Sequence, residues 1–263
     1  MGNQVKYVDL GLVSKEMYTA LWEYGSVIDV KCPILLKFCL NKEMPTFFGK
    51  SEIDISHIVE DDIIEDIVRI YGVSDGGSRL STVKYYIEGP ETHNFILYSS
   101  SDVKQLFLQS SRECCFKFGI ETFWNGRNDI FFKIGNKQKK FFGTGYDSVN
   151  GWHANDGSIT YKFNSELANK VKALDINNVL KTPKFESNTG SVSDVVGGLW
   201  EVDSTIDPIK FNDEFLRILM MKLGGTLEKN NLSDEEMQLL ISRGKKRLSD
   251  TEWLLRGNNE NFI

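Results

Sequence analysis

The sequence has few residues of the types that bind metals or form disulfides. It contains three histidines, His57, His93 and His153, and four cysteines. The histidines are scattered singly and the cysteines form no C-x-x-C pair, so a zinc site is not expected. Cys114 and Cys115 are adjacent, where a mutual disulfide would be strained, and the pattern indicates free thiols in a reducing compartment. His57 and His93 are more typical of surface or capping positions than of catalysis.

Long apolar runs and an excess of basic residues are also missing. No stretch approaches the roughly 18 apolar residues of a membrane span, and the first ten residues show no basic region followed by an apolar one. The formal net charge is −6, whereas proteins that bind nucleic acid phosphates usually carry a basic surplus. The sequence therefore predicts a cytoplasmic protein that has neither a nucleic acid nor a membrane as its partner.

Helix-like and strand-like segments alternate without a regular pattern along a chain that is 41% hydrophobic. Apolar spacing predicts helices at residues 14–24, 56–67, 101–118 and 211–223, and capping boxes predict further helices after Ser233 and Ser249. Strands are predicted at residues 33–40, 46–49, 67–71, 82–87, 94–98, 130–134, 139–143 and 158–163, the first two as a hairpin or neighbouring pair. The absence of a βαβ rhythm favours an α+β fold with a mixed β-sheet flanked by helices. We expect one domain over residues 1–263.

A glycine-rich segment at residues 72–78 is the first candidate site. Gly72-Val-Ser-Asp-Gly76 matches the nucleophile elbow G-x-S-x-G, but such an elbow must open into a helix, and residues 78–87 are β-branched and aromatic. A glycine turn between strands is the better interpretation. Gly76 and Gly77 in that turn would offer backbone N–H donors to a carboxylate or phosphate.

The second candidate is Gly126-Arg-Asn-Asp129, followed by Lys140 and Gly143-Thr-Gly145. An aspartate in a turn ahead of a strand can help to hold a nucleotide-bound magnesium ion. A strand lysine that faces inward supplies a compact positive charge for a phosphate or an oxyanion. The same residues also fit a turn and a solvated hairpin edge, in which Lys137, Lys139 and Lys140 serve only solubility.

The order and spacing of this second candidate resemble the lipoate–protein ligases. Gly126-Arg-Asn-Asp129, an apolar strand and Lys140-Phe-Phe-Gly143-Thr-Gly145 are similar to the family pattern G-R-N-D…K-[IV]-[SM]-G-[SN]-A, in which the lysine is catalytic. Trp152-His153-Ala154 resembles the histidine element that follows. The resemblance implies the fold of the biotin/lipoate ligase catalytic domain. The resemblance is closer to the catalytic subunit of two-component ligases, because we expect the small C-terminal accessory domain of one-piece ligases to be absent.

The resemblance implies a two-step acyl transfer. A lipoate or octanoate carboxylate is activated with ATP and Mg²⁺ to an acyl-AMP, and the acyl group passes to a lysine of a lipoyl acceptor domain. Such acceptors are 2-oxoacid dehydrogenase acyltransferase subunits and the glycine cleavage H protein, and a separate accessory subunit would fit the chain's length. Lys140 is the implied catalytic residue, and Asp129 is also the implied ligand of nucleotide-bound Mg²⁺. The implied substrate- and nucleotide-binding residues are Gly76, Gly77, Ser78, Asn128, Asp129, Gly143, Thr144, Gly145 and His153.

Two alternatives stay open. The family loop R-R-x-[ST]-G-G-G-A-V-x-H-D-x-G-N is replaced here by residues 69–83, in which two glycines remain but the arginine pair does not. The chain could therefore be a non-catalytic or specificity-altered relative that binds an acyl group or a partner. An ATP-independent octanoyl or lipoyl transferase of the same superfamily would use a cysteine nucleophile, and none of the four cysteines lies near residues 143–153.

Overall fold

A computed structural model describes residues 3–48, 66–70, 85–124, 128–170 and 196–256 of the chain. Within these ranges the strands are β1 (Asn3–Val13), β2 (Ile34–Leu40), β3 (Met44–Phe48), β4 (Val68–Ile70), β5 (Tyr85–Glu88), β6 (Thr92–Ser99), β7 (Thr122–Trp124), β8 (Asp129–Ile134), β9 (Lys137–Val149), β10 (Trp152–Thr160) and β11 (Gly225–Lys229). The helices are α1 (Lys15–Leu21), α2 (Tyr24–Val27), α3 (Lys104–Lys117), α4 (Ser165–Lys170), α5 (Pro208–Leu223), α6 (Asp234–Leu248) and α7 (Thr251–Arg256), with a 3₁₀ helix at Leu199–Glu201. In this part of the chain, no helix is long and apolar enough to cross a membrane.

The described strands form two sheets. The large sheet has the order β11-β1-β2-β6-β10-β9-β8-β7, and the small one has the order β4-β3-β5. In the large sheet β1 runs parallel to both of its neighbours, whereas β2, β6, β10, β9, β8 and β7 pair antiparallel in succession. The predicted α+β class with a mixed sheet and flanking helices is confirmed.

A separate hydrophobic cluster covers each face of the large sheet. On one face, Phe107 of α3 and Phe215 of α5 pack with Phe142 of β9. On the other face, Tyr18 of α1 packs with Phe38 of β2, and the small sheet adds residues to the same cluster. Successive side chains of a strand point to opposite faces, so each position on the central strands belongs either to the α3 face or to the α1 face.

A tight hairpin fixes which residues lie opposite each other on β9 and β10. Its turn is Asn150-Gly151, with φ of 50° and 81°. Positive φ at both central residues defines a type I′ turn, which matches the twist of the paired strands and explains the Asn-Gly sequence. The register that follows places Gly145 opposite Asp156 and Gly143 opposite Ser158.

The predicted pairing of residues 33–40 with residues 46–49 is wrong. Both segments are strands, but β2 lies in the large sheet and β3 in the small one. The reason is that β2 is paired on both sides, by β1 and by β6, which leaves no free edge for β3. The chain instead passes to the α1 face, where β3 pairs with β4 and β5.

The predicted helix ends are confirmed at one capping box and corrected at the other. Ser233 and Glu236 form a reciprocal capping box at the start of α6. Ser249 forms none, because it is the last residue of the turn that closes α6 and its hydroxyl donates to the Lys246 carbonyl. Asp250 caps α7 instead by accepting from the Trp253 N–H at 2.9 Å. The predicted helix at residues 56–67 lies almost entirely outside the described residues.

Candidate active site

Two glycines in the middle of the large sheet place no side chains of their own on its α1 face. Gly143 and Gly145 of β9 lie at alternate positions, so both face the same side. Asp129 of β8 is opposite Gly143, and Asp156 of β10 is opposite Gly145. We call the backbone surface of Gly143 and Gly145 the glycine patch. It lies between Asp129 on one neighbouring strand and Asp156 on the other.

A β-bulge directs the Lys140 side chain to the glycine patch. The register of β8 and β9 shifts so that Ile130 is opposite Phe142 and Phe131 is opposite Lys140. The extra residue is Phe141, and both Phe141 and Phe142 are buried in the cluster on the α3 face. Without the bulge, Lys140 would share the face of Phe142 and enter the apolar core. Bulges commonly redirect a side chain at functional sites in this way.

Lys140 and Asp129 form an ion pair over Gly143. The Lys140 Nζ atom lies 2.7 Å from Asp129 Oδ1, and the two side chains are 6% and 10% exposed. A Cβ atom at residue 143 would lie 2.9 Å from Nζ and 3.0 Å from Cε of Lys140. Residue 143 must therefore be a glycine for the ammonium group to lie where it does. The result is a positive charge that is held in place and mostly shielded from water.

Further polar groups surround the glycine patch on the same face. Asn94 of β6 receives a hydrogen bond from Ser158 at 2.5 Å and donates to Glu88 of β5 at 3.1 Å. The small sheet thus contacts the large one through Glu88, and the site lies between the two sheets. Burial raises the pKa of Glu88 to about 7, while its hydrogen bond to Asn94 and the charge of Lys140 partly oppose the shift.

Asp156 is a second buried carboxyl group beside the patch. Burial raises its pKa to about 7, and a backbone hydrogen bond from Gly145 and the charge of Lys140 partly oppose this. Its Oδ2 atom is buried and has no hydrogen-bond partner. Neither Glu88 nor Asp156 was predicted as a site residue. Their signal in the sequence is weak, because neither residue belongs to a recognisable motif and only the sheet pairing brings it to Lys140.

The structure brings some of the predicted site residues together and separates others. Lys140, Asp129, Gly143 and Gly145 share the glycine patch. Thr144 faces the α3 side, where its N–H and hydroxyl both donate to the Asn128 carbonyl, at 2.8 and 3.3 Å.

His153 also lies on the α3 side of the sheet, because the next residue, Ala154, packs in the α1-face cluster. Its Nδ1 atom is 2.7 Å from the Tyr146 hydroxyl. Gly76, Gly77 and Ser78 lie outside the described residues. The binding roles of all these residues stay predictions.

His93 differs from its expected surface position. It lies inside β6, where its ring packs against Tyr161 and its Nδ1 atom pairs with the Asn212 side chain of α5. Burial lowers its pKa to about 4, so the imidazole is neutral at physiological pH. This histidine belongs to the packing of the α3 face.

The described residues show no ready Mg²⁺ site. Magnesium takes oxygen ligands in an octahedral arrangement, often one or two carboxylates together with substrate phosphates. The Asp129 carboxylate, the predicted ligand, already pairs with the Lys140 ammonium, and no group of three or more His, Cys, Asp or Glu residues in the described ranges could hold a metal ion.

Comparison with known proteins gives a match in structure but none in sequence. No protein-family model and no curated protein sequence matches the chain. A bi-partite lipoate protein ligase from Thermoplasma acidophilum superposes with a TM-score of 0.73 at 14% identity, over 100% of both chains. Lipoate–protein ligase A bound with ATP gives 0.66 at 15% identity, over 97% of this chain and 99% of the other. P. falciparum LipL1 in complex with lipoate gives 0.62 at 16% identity, over 100% of this chain and 76% of the other. This chain has the fold of the lipoate–protein ligase catalytic domain.

Proposed function

We propose that this chain is the catalytic domain of a lipoate–protein ligase. It activates lipoate or octanoate with ATP and transfers the acyl group to a lysine of a lipoyl acceptor domain. The observation that carries the proposal is the Lys140 ammonium group, which the bulge at Phe141 and the ion pair with Asp129 hold over the glycine patch. The shared fold supports it, since the superposed proteins include ligases solved with ATP and with lipoate.

In the first half-reaction, a carboxylate oxygen of the acyl substrate bonds to the α-phosphorus of ATP. The bond from that phosphorus to the bridging oxygen breaks, and pyrophosphate leaves with the electron pair. Two anions must therefore approach each other, and a fixed cation between them lowers the electrostatic cost. Lys140 suits this task because its ammonium is already positioned and shielded from water before substrate arrives. The ion pair with Asp129 keeps the ammonium group in place while the site is empty.

In the second half-reaction, the acceptor amine attacks the acyl carbonyl and AMP leaves. Negative charge develops on the carbonyl oxygen in the transition state, and a preorganised ammonium stabilises it more strongly in a dry site than in water. Because residues 143 and 145 are glycines, they add no Cβ beside the Lys140 ammonium, and the mixed anhydride would lie next to that ammonium on the same face.

For its partners, we propose a lipoyl acceptor domain and a separate accessory chain. One of the superposed structures is described as a bi-partite ligase with its E2 lipoyl domain, and this chain covers 100% of the ligase chain that it matches. The chain would then act as a single catalytic domain, with the accessory chain needed for the activation step.

A cysteine-dependent transferase is less well supported. Cys39, Cys114 and Cys115 are buried, and burial raises the pKa of Cys39 to about 12 and those of Cys114 and Cys115 further. A thiol so far from ionisation at neutral pH is a poor nucleophile. Cys39 also alternates with Phe38 and Leu40, which pack on the α1 face, so it points away from the glycine patch.

The test is the intact mass of an apo-lipoyl acceptor domain after incubation with preformed lipoyl-adenylate. Supplying the adenylate bypasses activation and any accessory chain. We expect a mass gain of one lipoyl group with the wild type and a loss of about 100-fold or more in rate with Lys140→Ala. Lys139→Ala is the matched control, because Lys139 is adjacent in sequence but pairs with Glu201.

Folding is controlled with a second variant, because Lys140→Ala leaves the Asp129 carboxylate without its ion pair. The double variant Lys140→Met/Asp129→Asn removes both charges together. We expect it to unfold at nearly the wild-type temperature and to be as inactive as Lys140→Ala. Transfer at the wild-type rate in either variant, or no transfer above background with the wild type, would refute the proposed function.

A further inference from the structure

The Asp156 carboxyl group lies beside the proposed reaction site and makes few interactions. It is 7% exposed and sits on β10 opposite Gly145, on the face to which the bulge directs Lys140. Its Oδ2 atom is buried without a hydrogen-bond partner. Most buried polar atoms in proteins have partners, so one that lacks a partner at the edge of a ligand site calls for an explanation.

The charged and titratable groups around Asp156 come from three neighbouring elements. Lys140 and Asp147 lie on β9, Lys104 is the first residue of α3, and Tyr98 lies on β6. Lys140 and Lys104 favour the ionised carboxylate, whereas Asp147 and burial disfavour it. None of these groups forms a hydrogen bond with the Oδ2 atom, which can therefore accept a proton from a ligand.

We propose that Asp156 is the general base that removes a proton from the acceptor lysine during amide formation. The inference rests on the proposed function and adds a residue to it. The Lys140 ammonium lies over Gly143, and Asp156 lies opposite Gly145 on the same face of the sheet. An amine that attacks an acyl-adenylate held by Lys140 would therefore approach the carbonyl carbon beside the Asp156 oxygen.

The proposed step is balanced in atoms and charge. The acceptor lysine arrives as an ammonium ion and gives one proton to Asp156 Oδ2. The freed electron pair of its nitrogen forms the bond to the acyl carbon, and the bond from that carbon to the AMP oxygen breaks. AMP leaves with the electron pair, and the second proton of the nitrogen passes to its phosphate. Asp156 then releases its own proton to solvent.

The electrostatic environment fits this role. A general base works best when its pKa lies close to the working pH, and burial raises the pKa of Asp156 to about 7. An ordinary aspartate is too weak a base to deprotonate a lysine efficiently. Glu88 has a similar pKa, but its Oε2 atom accepts from Asn94, and Glu88 belongs to the opposite sheet.

The experiment compares two nucleophiles that attack the enzyme-bound lipoyl-adenylate in single turnover. One is the lysine of an apo-lipoyl domain, which is protonated at neutral pH, and the other is hydroxylamine, which is already neutral. We expect Asp156→Asn to slow transfer to lysine by about 100-fold or more and to leave the reaction with hydroxylamine within about twofold of the wild type. The wild-type rate with lysine should also level off above an apparent pKa near 7, and this levelling should be lost in Asp156→Asn.

Asp147→Asn is the matched control, because it removes a nearby carboxyl group and keeps the Asp156 base. This variant should react with both nucleophiles, and its rate with lysine should still level off at high pH. Unchanged transfer to lysine in Asp156→Asn, or an equal loss with both nucleophiles, would overturn the assignment of Asp156 as a base. A wild type that reacts with neither nucleophile above background would instead refute the proposed function, together with this inference.

Discussion

Replacing Asp156 by asparagine is expected to stabilise the protein increasingly as the pH rises. The carboxyl is buried, and its pKa is raised from 3.8 to about 7 because burial penalises the charged form. The folded state therefore binds the proton more tightly than the unfolded state does, and the free energy of unfolding falls as the pH rises from about 4 to about 7. Asparagine has a similar shape and does not ionise, so the variant lacks this loss.

The size of the effect follows from the shift in pKa. A difference of about 3 pKa units corresponds to about 4 kcal/mol when the carboxyl is ionised in both states. At pH 5 less than half of this difference has developed, because the folded state is still protonated. The difference in unfolding free energy between the variant and the wild type should therefore grow by about 2 to 3 kcal/mol between pH 5 and pH 8.5.

Urea unfolding followed by circular dichroism at several pH values measures this difference. Any effect of the asparagine amide that does not depend on pH cancels, because the test uses only how the difference in unfolding free energy changes with pH. If this difference is the same at pH 5 and pH 8.5, the reasoning is refuted, since the carboxyl would then titrate alike in the folded and unfolded chains. If the difference becomes smaller as the pH rises, the folded state favours the ionised form.

Three other predictions test other parts of the structure. Gly143→Ala should slow lipoyl transfer by about 10-fold or more with little change in unfolding temperature, because its Cβ would displace the Lys140 ammonium; wild-type rates would contradict this. Glu23→Ala should lower the free energy of unfolding by about 3–5 kcal/mol in urea, because Glu23 bonds bidentately to the buried Arg247; a loss below about 1 kcal/mol would contradict it. Burial lowers the pKa of His93 to about 4, so the unfolded chain takes up a proton at a higher pH than the folded chain does. The free energy of unfolding should therefore decrease as the pH falls from 6.5 towards 4. NMR titration of its ring should show a midpoint near pH 4, and a midpoint near 6.5 would refute it.

The parts of the fold that sequence could predict depend on local signals. The Ser14 cap, the Ser233 capping box and the glycine after α3 mark helix ends with residues that are close together in the chain. β8 and β9 are joined by the two-residue turn at residues 135–136, so Asp129 and Lys140 could be expected on neighbouring strands. Their ion pair follows from that local hairpin.

The parts that sequence did not predict depend on distant pairing. β1 carries no clear alternation of apolar residues and has a register shift between Asp9 and Leu12, so it resembles no standard strand pattern. Asp156 and Glu88 come to the glycine patch only because β10 and β5 pair with other strands in a particular register. Similarly, the spacing of Lys140-Phe-Phe142 does not show that Phe141 is the extra residue of a β-bulge.

The position of β1 between β2 and β11 has a consequence for synthesis. Residues 3–7 pair with residues 225–229, so β1 leaves the ribosome long before its outer neighbour has been synthesised. Until then a nascent chain exposes the hydrogen-bonding edge of β1, and such an edge readily recruits strands from other molecules. The large sheet is therefore completed only after β11 has been synthesised, and incomplete chains that end before Gly225 should be aggregation-prone.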